Sequence, residues 1–133
     1  MKAIRSILLL TCSIVAMVNN APVYAQDSTA RTELKRADLS GAAGMEVISS
    51  IVEFKPGDDV PKHFHHGVEA AYVLQGATLQ APGKEPTVVA TGTAIMNLRD
   101  IVHGGVKVVG NKSFKLFTVH VVDKNKPLYD NPR

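Results

Sequence analysis

The 133-residue chain has one cysteine, Cys12, and it sits in the N-terminal apolar stretch. If that stretch is removed on export, what remains can form no disulfide and offers no thiolate, so any metal site must be built from histidine, carboxylate and water. The chain also lacks an apolar run long enough to span a bilayer. The run from Ile7 to Val18 is interrupted by Thr11, Cys12 and Ser13 and falls short of the roughly 20 residues a membrane crossing requires. Leu9-Leu10-Thr11 is a poor context for lipidation of Cys12, which makes a lipid anchor the weaker reading. Lys2 and Arg5 ahead of the run, and Val23-Tyr24-Ala25 after it, read instead as a signal peptide over residues 1–25, with cleavage before Gln26 and a periplasmic or secreted destination. Cleavage removes 2 of the 15 basic residues and none of the 12 acidic ones, leaving 13 against 12, a net charge of +1. No run of Lys and Arg interleaved with aromatics remains, which argues against a nucleic-acid partner. Internal repeats and low-complexity segments are also lacking.

What is present is a succession of short β-prone runs. Residues 26–44 are polar and end in the loop-like Ser40-Gly41-Ala42-Ala43-Gly44; within them RTELKRADL reads as a short helix, with Leu34, Ala37 and Leu39 roughly on one side. From Met45 onward come MEVISSIVEF, AAYVLQ, ATLQA, TVVA, TAIMNL, VKVV and SFKLFTVHVV, separated by KPGDD, Gly76, APGKEP, TG, HGG and GNK. Those breaks supply the residues that turns need. Many short strands without a convincing long helix predict an all-β sandwich or small barrel over residues 45–122, in one domain. The tail, residues 123–133, holds two prolines and mixed charge and reads as irregular.

Residues 57–76, GDDVPKHFHHGVEAAYVLQG, concentrate the chemistry. On a strand, His63 and His65 point the same way and Phe64 the other. Gly67 permits a bend, after which a returning strand brings Glu69 opposite the two imidazoles. Two neutral nitrogens and one anionic oxygen from a single corner make three donors of a metal site with positions left open. The missing donor should come from another strand, and His103 is the best candidate. A surface loop can also hold His-x-His-His by accident, so the cluster alone leaves metal binding at about even odds.

Written as spacing, the stretch is Gly57, five residues, His63, one residue, His65, three residues, Glu69, six residues, Gly76. This resembles the first signature motif of the cupin superfamily at every fixed position. Fifteen residues then separate Gly76 from Gly92, similar to the compact intermotif spacing of small bacterial cupins. Aligned on Gly92, the histidine of the second cupin motif falls on His103, whereas Leu98, Asp100 and Lys107 stand where that motif has proline, glycine and asparagine. The resemblance spans about residues 45–122 and is closest to single-domain cupins of the quercetin-dioxygenase-like type. It implies a jelly-roll β-barrel in which His63, His65, Glu69 and His103 bind one divalent transition metal, with Glu69 also able to loosen and act as catalytic base. It further implies a homodimer, and an edge strand rather than a helix at RTELKRADL. Fe, Mn, Ni, Cu, Co and Zn all suit His and carboxylate donors.

Strand parity turns Ala71 and Val73 inward with Glu69 and leaves Tyr72 outside, which predicts a dry pocket above the metal. His66 points away from its neighbours and reads as a rim or surface histidine. His120 shares parity with Phe114, Leu116, Thr118 and Val122, and reads first as a hydrogen-bonded core histidine, second as a residue that supports the metal ligands or contacts substrate. Arg99 and Asp100, on the loop before His103, read as an ordinary charged turn; the sharper alternatives are a grip on a substrate carboxylate for Arg99 and a ligand-orienting role for Asp100.

Two function classes follow. One is a mononuclear metalloenzyme of dioxygenase or isomerase type acting on a small organic substrate. The other is a non-catalytic module holding a metal or small ligand. The export reading has its own test: intact-mass measurement of the protein recovered from outside the cytoplasm should give a chain beginning at Gln26, and a mass that retains residues 1–25 would overturn it.

Overall fold

The computed structural model describes residues 30–132. The signal peptide read at residues 1–25 and the cleavage point before Gln26 lie outside them. In chain order the strands are β1 (Arg31–Asp38), β2 (Met45–Phe54), β3 (Asp59–Val60), β4 (Gly67–Gln75), β5 (Ala77–Gln80), β6 (Thr87–Val89), β7 (Ala94–Asn97), β8 (Val106–Val109) and β9 (Phe114–Asp123). There is no helix among the described residues. The helical reading of RTELKRADL is therefore overturned. That segment is β1, paired antiparallel with β2 from Arg31↔Val52 to Asp38↔Glu46. An isolated helix of this length is marginal in water, whereas the open edge of β2 offers a full ladder of hydrogen-bond partners. Side chains reinforce the pairing: Arg36 Nη1 donates to the Glu46 carboxylate at 2.6 Å, and Arg31 Nη1 to Ser50 Oγ at 2.9 Å.

The strands form two antiparallel sheets, one ordered β1-β2-β9-β4-β7 and the other β3-β8-β5-β6. β2 alternates half-buried and buried residues along its whole length, as a strand does when one face is packed and the other faces water. At one end of the barrel Val52, Phe54, Val73 and Phe114 of the first sheet pack against Ala77 and Val108 of the second. This apolar plug anchors the fold.

Cross-strand register then grades the interior from apolar to polar. Val52, Leu116 and Val73 stand opposite one another across β2, β9 and β4. Two residues along, the row is Ser50, Thr118, Ala71 and Ile95; two further, it is Ile48, His120, Glu69 and Asn97. Ala71 and Val73 are buried and Tyr72 is 51% exposed, so the inward face of β4 carries Glu69 into the barrel.

Gly67 does not bend the chain; it opens β4. A Cβ there would lie 2.1 Å from the Val121 carbonyl oxygen and 2.6 Å from the Val122 Cα. Glycine is required because β9 passes too close for any side chain, and this close passage keeps Glu69 in register with His120. Gly67→Ala should therefore cost at least about 2 kcal/mol and lower Tm by on the order of 10 °C, measured by urea and thermal unfolding. An unchanged midpoint would show that β9 can move aside.

Candidate metal centre

Five side chains converge at the polar end of the barrel. His63 and His65 come from the segment before β4, Glu69 from β4 itself, His103 from the loop before β8, and His120 from β9. His63 and His103 face each other in an isolated antiparallel bridge, with His63 N–H donating to the His103 carbonyl at 3.0 Å and His103 N–H returning a bond at 2.8 Å. Gly104 makes this approach possible. Its φ is +74°, and a Cβ on it would lie 2.3 Å from the Pro61 carbonyl oxygen, so neither the backbone conformation nor the space admits a side chain.

Backbone carbonyls fix the tautomers of three imidazoles. Nδ1 of His63 lies 2.8 Å from the Pro61 carbonyl, Nδ1 of His65 2.5 Å from that of Leu128, and Nδ1 of His103 3.0 Å from that of Ile101. A carbonyl only accepts, so each Nδ1 carries the proton and, in the neutral ring, each Nε2 presents a lone pair. The lone pairs of His65 and His103 are turned toward Glu69. Nε2 of His65 and of His103 lie 3.4 and 3.5 Å from Glu69 Oε2, and Nε2 of His120 lies 3.3 Å from Oε1.

Glu69 Oε2 also accepts a 2.6 Å hydrogen bond from Asn97 Nδ2. Burial alone would raise the Glu69 pKa, but His103, His120 and His65 outweigh it and hold the carboxyl well below its usual range. Glu69 is thus an anion. Burial lowers the His63 pKa to about 4. The His120 pKa is also lowered, by burial, with the charges of His65 and Arg31 adding to it against the pull of Glu69. At His103 burial opposes the charged form, yet Glu69 and the Ile101 carbonyl prevail and the pKa is raised.

The donor set fits a metal ion. Nε2 of His65, His103 and His120 are buried without a hydrogen-bond partner among the described residues, although buried polar groups are ordinarily paired. Two metal bonds of about 2.1 Å meeting at roughly 90 to 110° hold their donors about 3.0 to 3.4 Å apart. The separations from Glu69 are of that size. Donor atoms of His63, His65 and His103 lie within 4.8 Å of one another, as do those of His65, Glu69 and His120.

His120, the C-terminal tail and Asn97 complete the site. His120 is not an ordinary hydrogen-bonded core histidine; it faces the carboxylate. The C-terminal tail is irregular but crosses the site. Beyond the Leu128 carbonyl on His65, the Tyr129 ring packs edge-on against His63, His65 and His120 with centroids 5.0, 5.2 and 6.0 Å apart. Asp130 exchanges backbone hydrogen bonds with Phe64 at 2.9 and 3.0 Å. Asn97 is the third of these, and its parity with Ile95 after Gly92 is the sequence signal that places it on the inward face of β7.

The remaining candidates lie outside the cluster. His66 is on the rim, with Nε2 3.1 Å from Asp130 and Nδ1 3.4 Å from Asp100. Arg99 is paired bidentately with Asp123 at 2.8 and 2.9 Å. Asp100 adopts a positive φ of 59° and faces His66 rather than a site imidazole.

An antiparallel double-stranded β-helix with histidines and a carboxylate gathered at one end defines a class of small barrel proteins with an internal metal-type donor cluster. A family model described as "Cupin domain" matches residues 50–120. The chain belongs to the cupin family. Among solved structures it is similar to the polyketide cyclase RemF from Streptomyces resistomycificus, with 22% identity, TM-score 0.52, and 70% of this chain and 74% of that one covered. It is also similar to an uncharacterized conserved protein with a double-stranded β-helix domain from Klebsiella pneumoniae subsp. pneumoniae MGH 78578, with 18% identity, TM-score 0.51, and coverage of 77% and 85%. A match to the DMSP lyase DddQ from Ruegeria pomeroyi DSS-3, at 17% identity and TM-score 0.48, covers 60% of this chain but spans only 40% of that one. No protein of curated function matches the sequence.

The site titrations set an acid limit on the metal-free protein. With a pKa of about 4 in the fold against 6.5 unfolded, His63 takes up its proton first in the unfolded chain. Its contribution to stability is complete above pH 6.5 and is lost as the pH falls toward 4. The loss is at most about 3 kcal/mol. His103, with a raised pKa, works in the opposite sense and contributes below pH 6.5. Thermal unfolding of the metal-free protein between pH 7 and pH 4 should show a falling Tm, and His63→Asn should flatten that fall. An equal slope in the variant would assign the acid sensitivity elsewhere.

Proposed function

We propose that the chain holds one divalent transition metal through His63, His65, Glu69 and His103 and acts as a mononuclear metalloenzyme of dioxygenase or isomerase type on a small oxygen-bearing organic molecule. One observation carries the metal reading: buried imidazole nitrogens without hydrogen-bond partners among the described residues converge on an ionised carboxylate at donor–donor separations. When bound, such an ion supplies Lewis acidity and a template for the substrate oxygen. The protein's own groups supply the rest. The carbonyls of Pro61, Leu128 and Ile101 keep three imidazoles aimed inward. Asn97 holds Glu69 by Oε2, which leaves Oε1 as the oxygen able to take a proton from the substrate. Ala71 and Val73, both buried on the inward face of β4, put apolar surface on one side of the carboxylate.

The packing of Tyr129 against three of the imidazoles favours a second reading, a non-catalytic module that holds a metal or small ligand beneath the tail. Residence outside the cytoplasm belongs to either reading and is supported by Lys2, Arg5 and the apolar run from Ile7 to Val18. A homodimer is supported by exposed Tyr72, Leu74, Met96 and Leu98, an apolar patch on β4, β7 and the residue following β7.

The deciding measurement is elemental analysis of residues 26–133, purified without a histidine tag, beside a His63→Ala/His65→Ala variant. About one equivalent of a single transition metal in the parent, and almost none in the variant, is expected. No metal in either, with none taken up on reconstitution, would sink the metal reading. Enzyme and binding module then separate by turnover: metal-dependent consumption of oxygen or conversion of a phenolic or enol substrate, lost in His65→Ala, marks the enzyme. Stabilisation by metal without turnover marks the module.

A further inference from the structure

His120 differs from the other imidazoles of the site in a way that assigns it a role. It comes from the interior of β9, is 0% exposed, and has no hydrogen-bond partner at either ring nitrogen among the described residues. An unsatisfied buried polar group costs about 1 to 3 kcal/mol. Valine, which occupies position 122 on the same inward face, would avoid that cost at this position. Its Nε2 is aimed at Glu69 Oε1, 3.3 Å away, while Oε2 faces His65 and His103. His120 belongs with His65 and Glu69 to one donor triad, and His65 links it to a second of His63, His65 and His103.

We infer that His120 is a fourth imidazole ligand of the ion proposed above, so that the chain offers four nitrogens and one oxygen and leaves an octahedral ion a single position for an outside donor. The inference rests on the metal reading and narrows the substrate. A molecule entering through one position binds by one atom, such as an enolate or phenolate oxygen, whereas a chelating diol or α-hydroxy acid needs two positions and would have to displace Glu69 or an imidazole. Hydrogen bonding of His120 to Glu69 alone does not account for the arrangement. Nε2 lacks hydrogen-bond geometry toward Oε1, and Nδ1 has none of the carbonyl support that holds His63, His65 and His103.

The test counts imidazoles. Protein labelled with nitrogen isotope in its histidines is loaded with cadmium, and rings coupled to the ion are counted by NMR in the parent and in His120→Ala. Four coupled rings in the parent and three in a folded variant are expected. Three in the parent would overturn the inference while leaving the metal reading intact, since His120 would then only steady Glu69. No cadmium bound, with none of cobalt either, would sink both. The parent count decides even if the variant fails to fold. Azide titration of the cobalt-loaded parent provides an independent readout: one azide per ion is expected, and two would overturn the single open position.

Discussion

Burying an ionised carboxylate in a barrel interior costs several kcal/mol unless its neighbours compensate, and the rest of the molecule is arranged around how Glu69 is compensated. Asn97 approaches from one flanking strand and His120 from the other, while His65 and His103 reach in from loops. Each of these groups is itself polar and buried or partly buried, so the carboxylate and the imidazoles are tolerable together and expensive apart. An ion between them would satisfy both sides, the carboxylate as anion and the imidazoles as lone-pair donors.

The compensation depends on backbone as much as on side chains. Three imidazoles owe their orientation to carbonyl oxygens, and two of those carbonyls, of Pro61 and Ile101, lie in the same loops as the histidines they orient. The third, of Leu128, belongs to the tail 63 residues away. Gly67 and Gly104 are the points where a side chain would force these backbones apart. The apolar plug at the opposite end keeps the two sheets in contact without competing for the site, because the register places Val52, Leu116 and Val73 two rows from Glu69.

Much of this was legible in the residues. Alternation and turn residues marked the strands from Met45 onward, and the spacing of His63, His65 and Glu69 pointed to one corner of a barrel. His103 was legible as the best candidate for the missing donor, and then as a position in a motif whose proline, glycine and asparagine are replaced by Leu98, Asp100 and Lys107. β1 was ambiguous because its residues favour neither state strongly and its partner, the edge of β2, is a tertiary fact. His120 and Asn97 were obscure for a related reason. Parity says that a residue faces inward, but only pairing across β9, β4 and β7 says what it faces.

By itself the sequence determined the periodicities and local geometry: which runs become strands, which face of each is apolar, and that two histidines and a carboxylate lie within seven positions. These depend on neighbours a few residues apart, and the chain carries that information directly. Tertiary structure alone decided that His120 and Asn97 meet the two oxygens of Glu69, and that the tail brings the Leu128 carbonyl to His65 and Tyr129 to three imidazoles. Apart from Tyr129 on His120, those contacts join residues 28 to 66 positions apart, and they exist only once the register of five strands has been set by packing.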